Sequence, residues 1–136
     1  IKLFWGTGKD NFEEDTYKMK NFGNSVVKPY FNNVADIMSA SDLVICRAGA
    51  STISELIQLE KPSILIPYDF VGQKENADVL EYVNGAKIFT NETADKAVEE
   101  AMTLVKQDEM LEFMKGNIRK LKKGNAADTI IQEMGL

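Results

Sequence analysis

"LVICRAGASTISEL", residues 43–56, is the stretch on which the fold turns. Its first four residues form an unbroken apolar run, the pattern of a strand covered on both faces. Small residues follow, and from about Thr52 to Leu59 the spacing becomes helical. Strand, tight turn and helix make the repeating unit of a parallel α/β sheet. In such sheets ligands sit beyond the carboxyl ends of the strands, which places "RAGAST" on the rim where a ligand is expected.

The turn itself supports two readings. In one, Ser51 or Thr52 caps the helix and Glu55, three residues after Thr52, folds back onto the cap as a capping box. In the other, the helix start presents unpaired N–H groups and the positive end of the helix dipole to a phosphate. Gly49 and Ala50 have little or no side chain to hold an anion away from the backbone. Glu55, one turn into the helix, could accept hydrogen bonds from a sugar diol. Neither G-x-G-x-x-G nor G-x-x-x-x-G-K-[ST] occurs, so dinucleotide and P-loop chemistry are not indicated.

Outward from this stretch, strand-like runs recur at Lys2–Trp5, Ser25–Lys28, Asp42–Arg47, Ser63–Pro67 and Ala86–Thr90. Helical spacing is expected at about Asn11–Asn21, Asn32–Ala40, Thr52–Leu59, Lys74–Val83, Thr93–Gln107, Asp108–Lys122 and Ala126–Met134. Pro29, Pro62 and Pro67 stand at strand edges, where a missing N–H is tolerated. Ala97, Val98, Ala101, Leu104 and Val105 form a one-sided stripe of the kind that packs on a core. The expected architecture is a Rossmann-like α/β domain, a parallel sheet with helices on both faces.

Composition narrows the function classes. The chain has 136 residues, 44% hydrophobic and 27% charged, enough for one domain with a core. Its formal net charge of −5 gives no global basic footprint for nucleic acid. No run approaches the length of a membrane-spanning helix. Cys46 is the one cysteine, which precludes an internal disulfide and suits a reducing compartment. There is no histidine, which removes the commonest general base and metal ligand. No metal site and no cofactor are therefore expected. The chain opens on Ile1-Lys2-Leu3-Phe4 with neither initiator Met nor signal peptide, and is expected to be a fragment of a longer protein.

Two further stretches carry polar or aromatic groups to the same rim. In "GQKENADVL", residues 72–80, Gln73 and Asn76 are one helical turn apart and could share a face at a helix start; an exposed polar helix start is the plainer reading. In "KPYFNNVADIMSASDLVIC", residues 28–46, Phe31 follows a strand end, where its backbone could meet a flat base or its ring could cover the core edge.

Together, "VVKPYFNNVADIMSASDLVICRAGASTISELIQLEKPSILIP" and "GQKENA" resemble the C-terminal half of the MurG family. These are UDP-N-acetylglucosamine transferases acting on undecaprenyl-pyrophosphoryl-muramyl-pentapeptide. The resemblance covers essentially the whole chain, and "CRAGASTISE" is its most specific part. It implies the nucleotide-sugar domain of a two-domain GT-B glycosyltransferase, with residues 1–136 a single partial Rossmann-like domain. A first strand with a glycine-rich loop, and an N-terminal acceptor domain, would lie outside this chain.

The resemblance further implies that Ala50, Ser51 and Thr52 offer amides to the diphosphate of UDP-N-acetylglucosamine. Ile53 and Ser54 would complete the segment, and Glu55 would bind the ribose hydroxyls. The backbone at Phe31 would pair with uracil, and Gln73 would contact the donor sugar. Arg47 matches the motif with a mainly structural role. No catalytic residue is assigned here, so the chain alone would be inactive. The acceptor would be lipid-linked, with peripheral association at the cytoplasmic face of the bacterial membrane. Two departures weaken the outer contacts: Trp5-Gly6 stands where the family often has His-Gln, and Gly72 where it has His or Gln. Two alternatives remain within reach of the same fold: another GT-B nucleotide-sugar enzyme, and a stand-alone UDP-N-acetylglucosamine transferase subunit docking on a membrane partner. A non-catalytic nucleotide-binding or interaction domain is a third.

Overall fold

A computed structural model describes residues 2–21, 23–68 and 72–122. The chain divides into two compact units, Ile1–Ile37 and Met38–Leu136, each described by itself. The helix expected at Ala126–Met134 lies outside the described residues.

In the first unit, β1 (Leu3–Gly6) and β2 (Ser25–Lys28) pair in parallel, with Leu3 opposite Ser25 and Gly6 opposite Lys28. They are joined through α1 (Phe12–Lys18), whose first turn carries Glu13, Glu14 and Asp15. Negative charge there complements the helix dipole. Beyond β2, α2 (Val34–Ala40) runs across the boundary between the units.

The second unit is built on a three-stranded parallel sheet in the order β3 (Val44–Cys46), β4 (Ser63–Leu65), β5 (Ala86–Ile88). The connections are α3 (Ala50–Gln58) and α4 (Gln73–Tyr82). After β5 come a 3₁₀ turn (Asn91–Thr93), α5 (Ala94–Leu104) and α6 (Asp108–Lys122). Successive residues of β4 point to opposite faces. Leu65 joins the core of Ile53, Leu56, Ala77, Leu80 and Ile118, whereas Ile64 packs with Ala97 and Ala101. Helices therefore cover both faces of this sheet, as the sequence pattern predicts.

The strands are shorter than expected, because the chain leaves the ladder at Arg47, Ile66 and Phe89. The prediction that "LVIC" is covered on both faces also needs correction. In β4 every residue is buried, but Ile45 of β3 is 43% exposed. Apolar content alone does not separate the middle strand of three from one at the side.

Both crossover helices end in the same way. In α3, Glu60 N–H donates to Ile57 O (3.1 Å) and Lys61 N–H to Leu56 O (2.9 Å). In α4, Asn84 N–H donates to Glu81 O and Gly85 N–H to Leu80 O, both at 2.9 Å. These are Schellman caps, with Glu60 (φ 55) and Asn84 (φ 58) in the left-handed region. Gly85 is dictated by packing: an added Cβ would lie 2.6 Å from Ile118 Cγ1, so α6 seats directly on the backbone.

Candidate functional site

The carboxyl ends of β3, β4 and β5 gather the groups that the sequence singles out in the second unit: Arg47, the Ala50–Glu55 segment, Gln73 and Asn76. Here α3 begins at Ala50, two residues earlier than the spacing predicts, with extended Gly49 (φ −65, ψ 149) as its N-cap. No side chain caps the helix, so the capping box between Thr52 and Glu55 does not form. The first hydrogen bond into the helix runs from Ile53 N–H to Gly49 O at 2.9 Å. Among the described residues, the amides of Ala50, Ser51 and Thr52 have no protein acceptor.

Its surroundings leave this helix start positive. α3 carries no acidic residue in its first turn, whereas α1, α2, α4, α5 and α6 each carry at least one. Those acids offset the dipole of their own helices; α3 keeps its positive end for a ligand. Ala50 and Ser51 are exposed and Thr52 is half-buried, so an anion has access.

What holds the turn open is a clamp from α4. Gln73 Oε1 accepts from Ala48 N–H (3.0 Å) and Tyr68 N–H (3.3 Å), and Asn76 Nδ2 donates to Ala48 O (3.0 Å). The two side chains, one helical turn apart, thus satisfy both backbone groups of fully buried Ala48. They hold it outside the helix, which starts just beyond. Because both neighbours of Oε1 are donors, the Gln73 amide has one allowed orientation. Its NH₂ then lies beside Gly49, with Nε2 3.7 Å from where a Cβ at Gly49 would sit. Two more donor hydrogens lie at the turn that leads into the helix.

A second brace ties the strand ends together. Arg47 Nη1 donates to Ile66 O (3.0 Å) and to Asn91 Oδ1 (2.6 Å), and its guanidinium lies 4.0 Å over the Tyr68 ring. One side chain thus links the residues that follow β3, β4 and β5. These contacts brace the strand ends against one another.

Glu55 is half-buried, one turn beyond Thr52 and on the same side of α3. Its carboxylate has no hydrogen-bond or ionic partner among the described residues and is available to a ligand. Ser54 is exposed. Ile53 is otherwise placed: its side chain is in the core and its N–H is already bonded, so it seats the helix and offers a ligand no free donor. Phe31 belongs to the first unit, where it is half-buried, with its ring edge-on to Phe4 at 6.3 Å between centroids. There it covers the Gly6 backbone, the packing alternative weighed from the sequence.

At the end of β3, burial pushes the Cys46 thiol up to about 12, which disfavours its thiolate. No group of three acidic, His or Cys side chains suited to a metal occurs among the described residues. None of the described helices is long and apolar enough to cross a membrane. A cavity of about 110 Å³ lies elsewhere, lined by Ser41, Asp42, Lys61, Asp108, Leu111, Glu112 and Lys115. Its walls carry charges of both signs and none of the groups described above. The candidate site is an open rim.

The chain is similar to known proteins along nearly its whole length. The family described as the glycosyltransferase family 28 C-terminal domain matches residues 1–133. A UDP-N-acetylglucosamine–N-acetylmuramyl-(pentapeptide) pyrophosphoryl-undecaprenol N-acetylglucosamine transferase of Fusobacterium nucleatum is 42% identical, covering 100% of this chain and 39% of its own length. The enzyme of the same name from Ruminiclostridium cellulolyticum is 39% identical, over 96% of this chain and 38% of that protein. The chain thus spans about two fifths of the curated relatives it matches. Among solved structures, Acinetobacter baumannii MurG superposes with a TM-score of 0.77 at 23% identity, covering 98% of this chain and 42% of that one. At that identity the likeness shows the fold alone, an α/β domain with parallel strands.

Proposed function

Because the chain belongs to the glycosyltransferase family 28 C-terminal domain family, we propose that it is the donor-binding part of an inverting N-acetylglucosaminyltransferase. The full protein would transfer N-acetylglucosamine from UDP to a lipid-linked muramyl-pentapeptide, the step from lipid I to lipid II in peptidoglycan synthesis. The observation that carries this reading is the start of α3. Three amides without a protein acceptor among the described residues, a first turn without acids and the NH₂ of Gln73 meet at the turn that opens α3.

That position suits a diphosphate. Each amide donating to a charged oxygen contributes roughly 1.5–3 kcal/mol, and the helix dipole adds roughly 0.3–1 kcal/mol. These donors are fixed before the ligand arrives, so they also stabilise charge as the diphosphate departs from the sugar. Glu55 accepts hydrogen bonds from the ribose hydroxyls, the Phe31 backbone pairs with uracil, and Gln73 donates to the donor sugar. A base for the acceptor hydroxyl is assigned to no residue of this chain. Acceptor binding and peripheral association with the cytoplasmic face of the membrane belong to the rest of the protein.

Calorimetric titration with UDP and with 2′,3′-dideoxy-UDP tests the ribose role. Glu55→Ala is expected to weaken UDP roughly tenfold to a hundredfold while leaving the dideoxy nucleotide unchanged, because hydrogen bonds to a charged carboxylate are at stake. Equal UDP affinity in wild type and Glu55→Ala would sink the assignment.

A further inference from the structure

One face of α6 is built as if to meet another helix. Measured around the helix axis, Glu109, Met110, Phe113, Gly116, Asn117 and Lys120 fall within a single stripe. The adjoining side, Leu111, Met114, Ile118 and Leu121, is buried in the core. On the outer stripe Phe113 is 54% exposed and Met110 is 40% exposed, both large apolar side chains facing water. Gly116, one turn after Phe113, would place an added Cβ in open space, so the helix surface there is a shallow notch.

The charges at the two ends of the stripe are opposite, and neither is paired among the described residues. Glu109 and Lys120 have no ionic partner among the described residues, whereas Glu112, Lys115, Arg119 and Lys122 are all paired within the chain. The spacing is symmetric about a point between Met114 and Lys115. Glu109 and Lys120 are equidistant from it, and so are Phe113 and Gly116.

We propose that this stripe is a self-complementary interface, on which α6 of a second copy of this chain packs antiparallel about a two-fold axis. Phe113 of each copy fills the notch at Gly116 of the other. Glu109 of each pairs with Lys120 of the other, which a two-fold axis requires to occur twice. The opposed charges favour a second copy over a basic or acidic partner, since each end of the stripe supplies what the other lacks.

The interface is small. A helix of 15 residues is about 22 Å long, and its stripe buries well under the roughly 1,200–2,000 Å² of a stable complex. Association is therefore of the weak, reversible class, on the order of 100 µM.

Sedimentation velocity of the protein from roughly 1 to 500 µM reads this out. The wild type is expected to shift from monomer towards dimer across that range. Phe113→Ser and Gly116→Leu, both at solvent-facing positions, are expected to stay monomeric with unchanged thermal transitions. Glu109→Lys and Lys120→Glu each turn two attractions into repulsions and are expected to weaken association at least about tenfold. Glu109→Lys combined with Lys120→Glu restores it. A wild type that remains monomeric throughout overturns the proposal, as does association indifferent to Phe113→Ser. A double charge swap that stays dissociated also overturns it. So does Phe113-dependent flotation with phosphatidylglycerol vesicles by a protein that stays monomeric, which would assign the stripe to a lipid surface.

Discussion

Replacing Gln73 separates what holds the turn from what binds the ligand. Its Oε1 is the acceptor for Ala48 N–H at 3.0 Å, and Ala48 is fully buried. Gln73→Leu leaves that donor without water or partner, at a cost of about 1–3 kcal/mol. Tyr68 N–H, the second donor, belongs to an exposed residue and recovers much of its loss from water. For a domain of this size the melting temperature is expected to fall by roughly 4–10 °C. Gln73→Glu keeps an oxygen facing both donors, so stability is retained to within about 0.5 kcal/mol. Its second oxygen, however, replaces the NH₂ beside Gly49 and sets a negative charge against the bound diphosphate. One lost hydrogen bond and a short-range repulsion together amount to about 2–3 kcal/mol, or roughly 30-fold to 150-fold in affinity for UDP-N-acetylglucosamine. Differential scanning calorimetry and isothermal titration on the two variants are the assay. Gln73→Leu must lose stability, and Gln73→Glu must lose binding alone. Wild-type affinity in Gln73→Glu, or an unchanged transition in Gln73→Leu, would refute the clamp as described.

Other expectations follow from the packing. Glu60 bridges Arg119 and Lys122, joining the end of α3 to α6. The hydrogen bond from Arg119, more than burial opposes it, holds its carboxyl below the ordinary 4.5. A depressed pKa adds stability that is present above the unfolded value and is lost as pH falls through the folded one. Glu60→Gln is expected to cost roughly 0.5–1 kcal/mol at neutral pH and nothing once acid has protonated the carboxyl in both states, as urea melts at several pH values would show. Ser63 is fully buried, and its hydroxyl has no partner among the described residues. Ser63→Ala is expected to be neutral or stabilising by up to about 1 kcal/mol; clear destabilisation in the same melts would mean the hydroxyl is satisfied.

Much of this was legible in the sequence because it depended on local pattern. The alternation of short apolar runs with helical spacing placed all five described strands and the helices between them. The three-residue spacing of Gln73 and Asn76 correctly put both on one face. The misses have a common cause, contacts distant along the chain. The pattern at Thr52 and Glu55 matches a capping box, but Ala48 is clamped by residues 25 and 28 positions away and the helix starts early. The packing that buries Ile53 and exposes Ile45 is likewise tertiary, set by α3 seating on the core and by β3 lying at the side of its sheet. Asn76 was legible as a neighbour of Gln73, but its hold on the Ala48 carbonyl was not.

The central claim is that the backbone at the start of α3 binds the diphosphate, and Ala50→Pro removes one of its amides with little else disturbed. Proline is well tolerated at the first position of a helix. Gly49, at ψ 149, already has the extended conformation that a following proline requires. The affinity of this variant for UDP-N-acetylglucosamine, measured by isothermal titration beside its melting temperature, is the direct test. The account predicts an unchanged transition and affinity lower by about tenfold to a hundredfold, the loss of one hydrogen bond to a charged group. Undiminished affinity in a folded Ala50→Pro protein would contradict it.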